Sequence, residues 1–154
     1  AHISRYYRDL AFRVVGADIS SRCVDIAREQ NPGLEFQVTD MVEPGLADGS
    51  AEGVVAYYSI QHIPKQFMIR LFQSFSRLLK PGGKLLVSAK GGEGEGHVED
   101  FLDSKARIYF SYFSRAEIET YLDAAGFRIL FIHVRESYTD EIQVPRIYAI
   151  GEKT

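Results

Sequence analysis

Apolar and polar residues follow two different periods along this chain. Residues 3–10 and 64–79 carry apolar side chains three and four positions apart, which is the spacing of an amphipathic helix. Short segments between and beyond them are alternating or continuously apolar, and these predict strands. The predicted strands are residues 12–17, 34–38, 54–58, 84–89, 128–136 and 146–150. The continuously apolar segment 54–58 predicts a buried strand.

Two further helices have boundary signals in the sequence. Ser20 or Ser21 can cap a helix that Asn31-Pro32-Gly33 ends. Ser114 and Glu117 have the spacing of a capping box. Strands that alternate with helices indicate parallel βαβ units. We therefore expect an α/β fold with an open sheet, mostly parallel with an antiparallel C-terminal strand, and helices on both faces.

The composition is that of an ordinary folded domain. The 154 residues are 45% hydrophobic and 25% charged, which excludes a disordered or collagen-like chain. A net charge of −3 provides no general basic surface for phosphates, so we expect no nucleic-acid partner. No apolar run approaches the roughly 20 residues that span a bilayer, so we expect no membrane partner. We expect a single domain over residues 1–154.

The sequence gives little indication of a metal site or of a disulfide. Cys23 is the one cysteine and cannot form an internal disulfide, which suits a reducing compartment. His2, His97 and His133 lack the spacing of metal ligands. We therefore expect a cytoplasmic protein that binds no metal ion.

Acidic residues follow two predicted strands at the point where each strand ends. Asp18 comes directly after residues 12–17, and Asp40 follows residues 34–38. Ligands of open α/β sheets bind beyond the carboxyl ends of the strands, where a carboxylate can accept hydrogen bonds from both hydroxyls of a ribose. Asp40 is placed to accept from the exocyclic amine of an adenine. Such carboxylates are also common helix caps and turn residues, but two of them, 22 residues apart, favour a nucleoside pocket.

A glycine-rich segment matches a phosphate-binding pattern literally. Gly92-Glu93-Gly94-Glu95-Gly96 reads as G-x-G-x-G. It follows a predicted strand but leads into no helical pattern, and its two glutamates would repel an anionic ligand. We expect a flexible loop here.

Several segments, in order along nearly the whole chain, resemble a known family. Residues 12–20 (FRVVGADIS) resemble a second strand with a ribose-binding acid, and residues 38–41 (VTDM) resemble an adenine-contacting turn. Residues 53–64 (GVVAYYSIQHIP) resemble a fourth strand, and residues 78–87 (LLKPGGKLLV) a PGG turn and fifth strand. Residues 113–127 are similar to the helix before a long sixth strand. Together they resemble the class I S-adenosylmethionine-dependent methyltransferases of the small-molecule type, which have a Rossmann-like domain.

The resemblance implies methyl transfer from S-adenosylmethionine to a small-molecule acceptor. Asp18 would hold the ribose of this cofactor and Ile19 would pack on its adenine face. Asp40 and Met41 would contact the adenine. The resemblance also implies that the glycine-rich segment after the fifth strand borders the substrate, as a lid.

Four more residues would lie at the reacting end of the cofactor. Tyr57, Tyr58 and Ser59 would line the sulfonium, which aromatic rings attract as a cation. His62 is the candidate catalytic base, because a histidine can take the proton of an acceptor hydroxyl or amine as the methyl group arrives. The alternative for His62 is a helix-cap or packing histidine.

One family feature is missing where the resemblance places it. A first strand followed by G-x-G-x-G should precede Asp18, and the family's spacing puts its third glycine near Ala1. That strand lies in the middle of the family's sheet, so its loss would leave buried backbone groups unpaired. We therefore expect these residues to be an N-terminally incomplete part of a longer chain, without the first strand and the glycine-rich loop.

Two other functions stay open. A non-catalytic interaction module with the same fold would not need the glycine-rich loop. A nicotinamide-dependent oxidoreductase would use Asp18 equally well for a ribose, although the PGG turn and the C-terminal strand pair disfavour it.

Overall fold

The computed structural model describes residues 2–99 and 107–154. The chain divides into two compact units, Ala1–Gly45 and Leu46–Thr154. Each unit has its own strands. Every helix or strand on which the functional prediction depends lies within a single unit. No helix in the part of the chain that the structure describes is long and apolar enough to cross a membrane.

The first unit is a small α/β layer. Its elements are α1 (His2–Asp9), β1 (Val15–Asp18), α2 (Ser21–Gln30) and β2 (Glu35–Val38). Strands β1 and β2 are parallel, and Asp18 lies opposite Val38. The hydroxyl of Ser20 caps α2 by accepting the Cys23 N–H at 3.3 Å, as the sequence predicts. Buried Phe36 packs so close to Gly16 that a Cβ there would lie 2.3 Å from its ring.

The second unit contains the remaining elements and a larger sheet. Two 3₁₀ turns, Ile60–His62 and Lys65–Phe67, precede the first of its α-helices. The regular elements are β3 (Ala51–Tyr57), α3 (Met68–Leu78), β4 (Leu79–Lys90), β5 (Glu95–Val98), β6 (Ile108–Ser111), α4 (Arg115–Ala124), β7 (Phe127–Arg135) and β8 (Arg146–Lys153). The capping box predicted for α4 is present, because Ser114 and Glu117 exchange hydrogen bonds between side chain and backbone.

Four strands of the second unit form one sheet in the order β3-β4-β8-β7. Strands β3 and β4 are parallel, whereas β8 is antiparallel to both of its neighbours. Three strands therefore run in one direction and β8 in the other, which confirms the predicted antiparallel C-terminal strand. Strands β1 and β2 form a separate parallel pair, and β5 pairs antiparallel with β6.

The core of the second unit lies between the helices and one face of this sheet. Leu85, Val87 and Ala89 alternate along β4 and are buried, and their partners Ala149 and Ile147 on β8 are buried with them. Helix α3 contributes the buried residues of the predicted apolar stripe to this core. Phe67, which was predicted as part of the stripe, precedes the helix and is 40% exposed. The opposite face of β4 carries Lys84, Leu86, Ser88 and Lys90 in order. Ser88, near the end of the strand, contacts one of the predicted site residues, Tyr58.

Two expectations about individual segments hold only in part. The glycine-rich segment has no regular structure over residues 92–94, as expected of a loop, but its last two residues begin β5 (Glu95–Val98), which pairs with β6. The carboxylate of Glu95 there accepts the Lys65 N–H at 2.6 Å and the Ser111 hydroxyl at 3.2 Å. The strand predicted as buried, β3, is exposed at Val55 (38%) and Tyr57 (42%). Side chains alternate between the two faces of a strand, and of the residues of β3 only Ala56 is buried.

Arg135 at the end of β7 forms an ion pair with Glu141, which lies in the connection to β8. Both guanidinium nitrogens of Arg135 donate to Glu141 at 2.8 Å, and the Tyr138 N–H donates to the same carboxylate at 3.0 Å. The guanidinium also lies 4.1 Å from the centroid of the Tyr138 ring. The bond with Arg135, followed by that with Tyr138, lowers the pKa of Glu141 from 4.5 to about 2.

We expect Glu141→Gln to be less stable than the wild-type protein at pH 7, and the difference to shrink on acidification. A carboxylate whose pKa is lower in the folded state stabilises the fold above its unfolded value of 4.5 and loses that contribution as the pH falls toward about 2. Urea unfolding midpoints at pH 7, 4 and 3 measure the effect. The control is Glu136→Gln, an exposed glutamate on the same connection. A difference between wild type and Glu141→Gln that stays constant from pH 7 to 3 would contradict this account.

Candidate active site

Two carboxylates lie at the same edge of the first unit. Asp18 ends β1, and its backbone oxygen accepts the Thr39 N–H at 3.0 Å, so the residues that follow β2 lie beside it. Oδ1 of Asp18 accepts the Ser20 N–H at 2.9 Å, and Oδ1 of Asp40 accepts the Val42 N–H at 2.8 Å. Both side chains are exposed. Each carboxylate is therefore oriented by a local turn while it still has lone pairs free for a ligand.

The two apolar residues predicted beside these carboxylates differ in exposure. Ile19 is 71% exposed, which is unusual for a large aliphatic side chain. Met41 is half-buried. Asp18, Ile19, Asp40 and Met41 thus form a group at the carboxyl edge of the β1–β2 pair, where the sequence predicted a nucleoside pocket.

Tyr58 has a constrained backbone at the end of β3. Its φ is +51°, in the left-handed region that is costly for a residue with a Cβ. The Tyr58 N–H donates to both the backbone oxygen (3.1 Å) and the hydroxyl (3.0 Å) of Ser88 on β4. Ser88 is fully buried, so this double contact holds the chain in place as it leaves the sheet.

The side chain of Tyr58 also makes specific contacts. Its hydroxyl is 2.7 Å from the hydroxyl of Tyr148 on β8, and its ring meets the Tyr57 ring edge-on at 4.8 Å. Burial, and next the bond with Tyr148, raise the pKa of Tyr58 above its ordinary value, so the phenol stays protonated. Tyr57, by contrast, is exposed, and Ser59 is half-buried at the start of the turn that leads to His62.

His62 is half-buried and held in a defined orientation. Its Nδ1 is 3.2 Å from the backbone oxygen of Tyr109 on β6, and its ring meets the Phe110 ring edge-on at 5.2 Å. A carbonyl oxygen only accepts, so Nδ1 is the protonated nitrogen and Nε2 of the neutral ring has a free lone pair. This orientation suits a general base, and the contacts with Tyr109 and Phe110 equally suit the alternative of a packing histidine.

The structure adds residues that the sequence analysis did not single out. Ser88 and Tyr148 are 30 and 90 positions from Tyr58, and no local pattern pointed to them. Gln61 is 5% exposed, and its Oε1 has no hydrogen-bond partner in the structure. A buried acceptor without a donor is costly, so a bound ligand or water would stabilise this position. In the residues that the structure covers, no group of three or more His, Cys, Asp or Glu side chains could hold a metal ion.

Comparison with known proteins identifies the family. A family model described as a methyltransferase domain matches residues 1–87, which is more than half of the chain. Phosphoethanolamine N-methyltransferase 1 of Arabidopsis thaliana is 38% identical over 79 residues. That match covers 49% of this chain but only 16% of the Arabidopsis enzyme.

Solved structures show the same fold at low sequence identity. An S-adenosylmethionine-dependent methyltransferase from Methanosarcina mazei has a TM-score of 0.79 and 20% identity, covering 91% of this chain and 81% of that chain. The 1,6-didemethyltoxoflavin-N1-methyltransferase of Burkholderia thailandensis, with bound 1,6-didemethyltoxoflavin and S-adenosylhomocysteine, has a TM-score of 0.75 and 16% identity, covering 97% and 65%. These findings confirm the resemblance to class I methyltransferases, and the chain belongs to the methyltransferase domain family.

Proposed function

We propose that this protein transfers a methyl group from S-adenosylmethionine to a small-molecule acceptor, with His62 as the base. The observation that carries the proposal is the pair of oriented, exposed carboxylates, Asp18 and Asp40, at the edge of parallel strands in a methyltransferase domain. The family match is to a methyltransferase and gives no support to the nicotinamide-dependent alternative.

The residues of the first unit suit the nucleoside part of the cofactor. The Asp18 carboxylate accepts hydrogen bonds from the two ribose hydroxyls, while Ile19, 71% exposed, packs on the adenine. Asp40 accepts the exocyclic amine, and the backbone of Met41 contacts the ring. Binding of the adenine would remove the exposed Ile19 side chain from water, and this burial of apolar surface favours binding.

The residues of the second unit suit the chemistry of transfer. S-adenosylmethionine supplies an electrophilic methyl group whose sulfur keeps the bonding electrons when the methyl leaves. Tyr57, Tyr58 and Ser59 line the positive sulfonium end, and His62 Nε2 takes the proton from the acceptor atom as its bond to the methyl carbon forms. Much of the acceleration comes from holding the two reactants in line.

A small acceptor is supported by the Arabidopsis relative, whose name gives phosphoethanolamine as its substrate. Because the match spans a small part of that enzyme, phosphoethanolamine serves here as a first probe of methyl transfer. With S-adenosylmethionine labelled in its methyl group, the protein is tested for release of S-adenosylhomocysteine and for transfer of the label to the acceptor.

We expect the protein to bind S-adenosylhomocysteine at micromolar concentration and Asp18→Ala to weaken binding about 5-fold to 150-fold, because hydrogen bonds to a charged group are lost. Asp40→Ala should weaken it less, because the backbone contact from Met41 survives. Isothermal titration calorimetry measures both. Asp25→Ala is the control, since Asp25 is an exposed aspartate on α2 whose partner is Arg28.

The result separates the proposal from its rivals. No heat and no thermal shift with either form of the cofactor would favour a non-catalytic interaction module. A greater loss at Asp40 than at Asp18 would mean that the adenine and the ribose are wrongly placed.

We expect His62→Ala to lower the rate of methyl transfer by roughly 10²–10⁴-fold with cofactor affinity nearly unchanged, which is the usual contribution of a general base. Added imidazole should restore part of the rate in this variant, because it can replace the missing base. His133→Ala is the control, as His133 is an exposed histidine on β7. A His62→Ala protein that keeps more than about a third of the wild-type rate would reduce His62 to a structural residue.

A further inference from the structure

The segment that carries His62 is attached at two points to the hairpin formed by β5 and β6. Nδ1 of His62 is 3.2 Å from the backbone oxygen of Tyr109 on β6. Three residues after His62, the Lys65 N–H donates to Oε2 of Glu95 on β5 at 2.6 Å. Because β5 and β6 pair with each other, the position of the candidate base depends on where this hairpin lies.

The carboxylate of Glu95 connects these two points of attachment. Glu95 lies directly opposite Ser111 on β6, so the two side chains share one face of the hairpin with that of Tyr109, two residues earlier. The Glu95 carboxylate is 3.2 Å from the Ser111 hydroxyl and accepts a hydrogen bond from the Tyr109 hydroxyl. It therefore binds both Lys65, just after His62, and the residue whose backbone oxygen binds the His62 ring.

Ser111 adds a further bond between β6 and this segment. Its hydroxyl is 2.9 Å from the backbone oxygen of Ile63, the residue directly after His62. The hydroxyl has one proton, which the Ile63 oxygen and the Glu95 carboxylate share or use in turn. Either bond draws β6 toward the segment that contains His62 or toward the carboxylate that binds this segment.

The charges around Glu95 favour this role over binding of a cation. The Lys65 ammonium is paired with Glu117 at 2.6 Å, so Glu95 binds Lys65 through the backbone N–H. This N–H, ahead of the Tyr109 and Ser111 hydroxyls, lowers the pKa of Glu95 against an opposing effect of desolvation. The carboxylate thus stays ionised at neutral pH, and an ionised acceptor makes stronger hydrogen bonds than a neutral one.

We propose that Glu95 is a positioning residue for His62, whose carboxylate keeps the Tyr109 backbone oxygen within hydrogen-bond distance of His62 Nδ1. The role of His62 as a base rests on the proposed function. The bond with Tyr109 keeps the ring proton on Nδ1, so Nε2 keeps the lone pair that takes the acceptor's proton. When that bond is lost, the proton can lie on Nε2 instead, and the ring then presents a donor where a base is needed.

NMR of the histidine ring nitrogens tests the proposal without any substrate. At about pH 8.5, where histidine is ordinarily neutral, we expect His62 of the wild-type protein to carry its proton on Nδ1. Glu95→Ala should give a mixture of the two neutral forms. Glu95→Gln should stay closer to wild type, because its amide oxygen can still accept the Lys65 N–H. His62→Ala identifies the signals of His62, and an unchanged Nδ1–H form in Glu95→Ala would overturn the proposal.

Glu93→Ala is the matched control, because Glu93 is the other glutamate of the glycine-rich segment and lies outside β5. It should leave the protonation of His62 as in wild type. Glu95 is exposed, so its removal leaves no cavity in the core, and thermal unfolding should show a folded Glu95→Ala protein. An equal change of the His62 signals in Glu93→Ala and Glu95→Ala would contradict the assignment to Glu95.

The rate of methyl transfer to phosphoethanolamine gives a second readout. We expect Glu95→Ala to lower kcat about 10-fold to 100-fold and to leave KM for S-adenosylmethionine within about threefold, as for a misplaced catalytic group. In a His62→Ala background the same substitution should change the rate by no more than about twofold, because no base is left to position. Equal losses in the two backgrounds would show that Glu95 does not act through His62.

The two readouts separate the role of Glu95 from the proposed function. A change of the His62 signals in Glu95→Ala, in a protein that neither binds S-adenosylhomocysteine nor transfers a methyl group, would support the positioning of His62 and reject methyl transfer. A loss of rate in Glu95→Ala with unchanged His62 signals would support methyl transfer and reject the positioning role.

Discussion

The pairing of β4 on both of its edges organises the second unit. Its parallel partner β3 delivers the chain to Tyr58 at the carboxyl end, and its antiparallel partner β8 brings Tyr148 and Arg146 to the same end from the opposite direction. Side chains on one face of β4 are buried in the core, whereas three of the four on the other face, from Lys84 to Lys90, are polar. One strand thus provides both the hydrophobic attachment of the helices and the polar surface where the chemistry is proposed.

The backbone at Tyr58 shows how this arrangement is maintained. A left-handed tyrosine costs of the order of 1–3 kcal/mol and persists only where surrounding contacts hold it. Ser88 supplies two acceptors for its N–H, and Tyr148 binds its hydroxyl. Because these partners lie on β4 and β8, the sheet fixes the position at which the chain leaves β3 and turns toward His62.

Two glutamates stabilise connections of the second unit. Glu141 lies in the loop that joins β7 to β8 and accepts two hydrogen bonds from Arg135. Glu95 contacts Lys65 and Ser111 from the first residue of β5, so this glutamate has a structural role in a segment that matches a phosphate-binding motif. That role depends on partners that are distant in the sequence.

Local signals in the sequence determined the helices with caps and stripes, the strands of the C-terminal pair and the carboxylates that end β1 and follow β2. These features depend on neighbours within a few residues, and periodicity and capping chemistry report them directly. The edge position of β3, the pairing of β5 with β6, and the bond between Tyr58 and Tyr148 were decided only by the tertiary structure. Each of them depends on strand order and register, which bring together residues up to 90 positions apart that no local pattern connects.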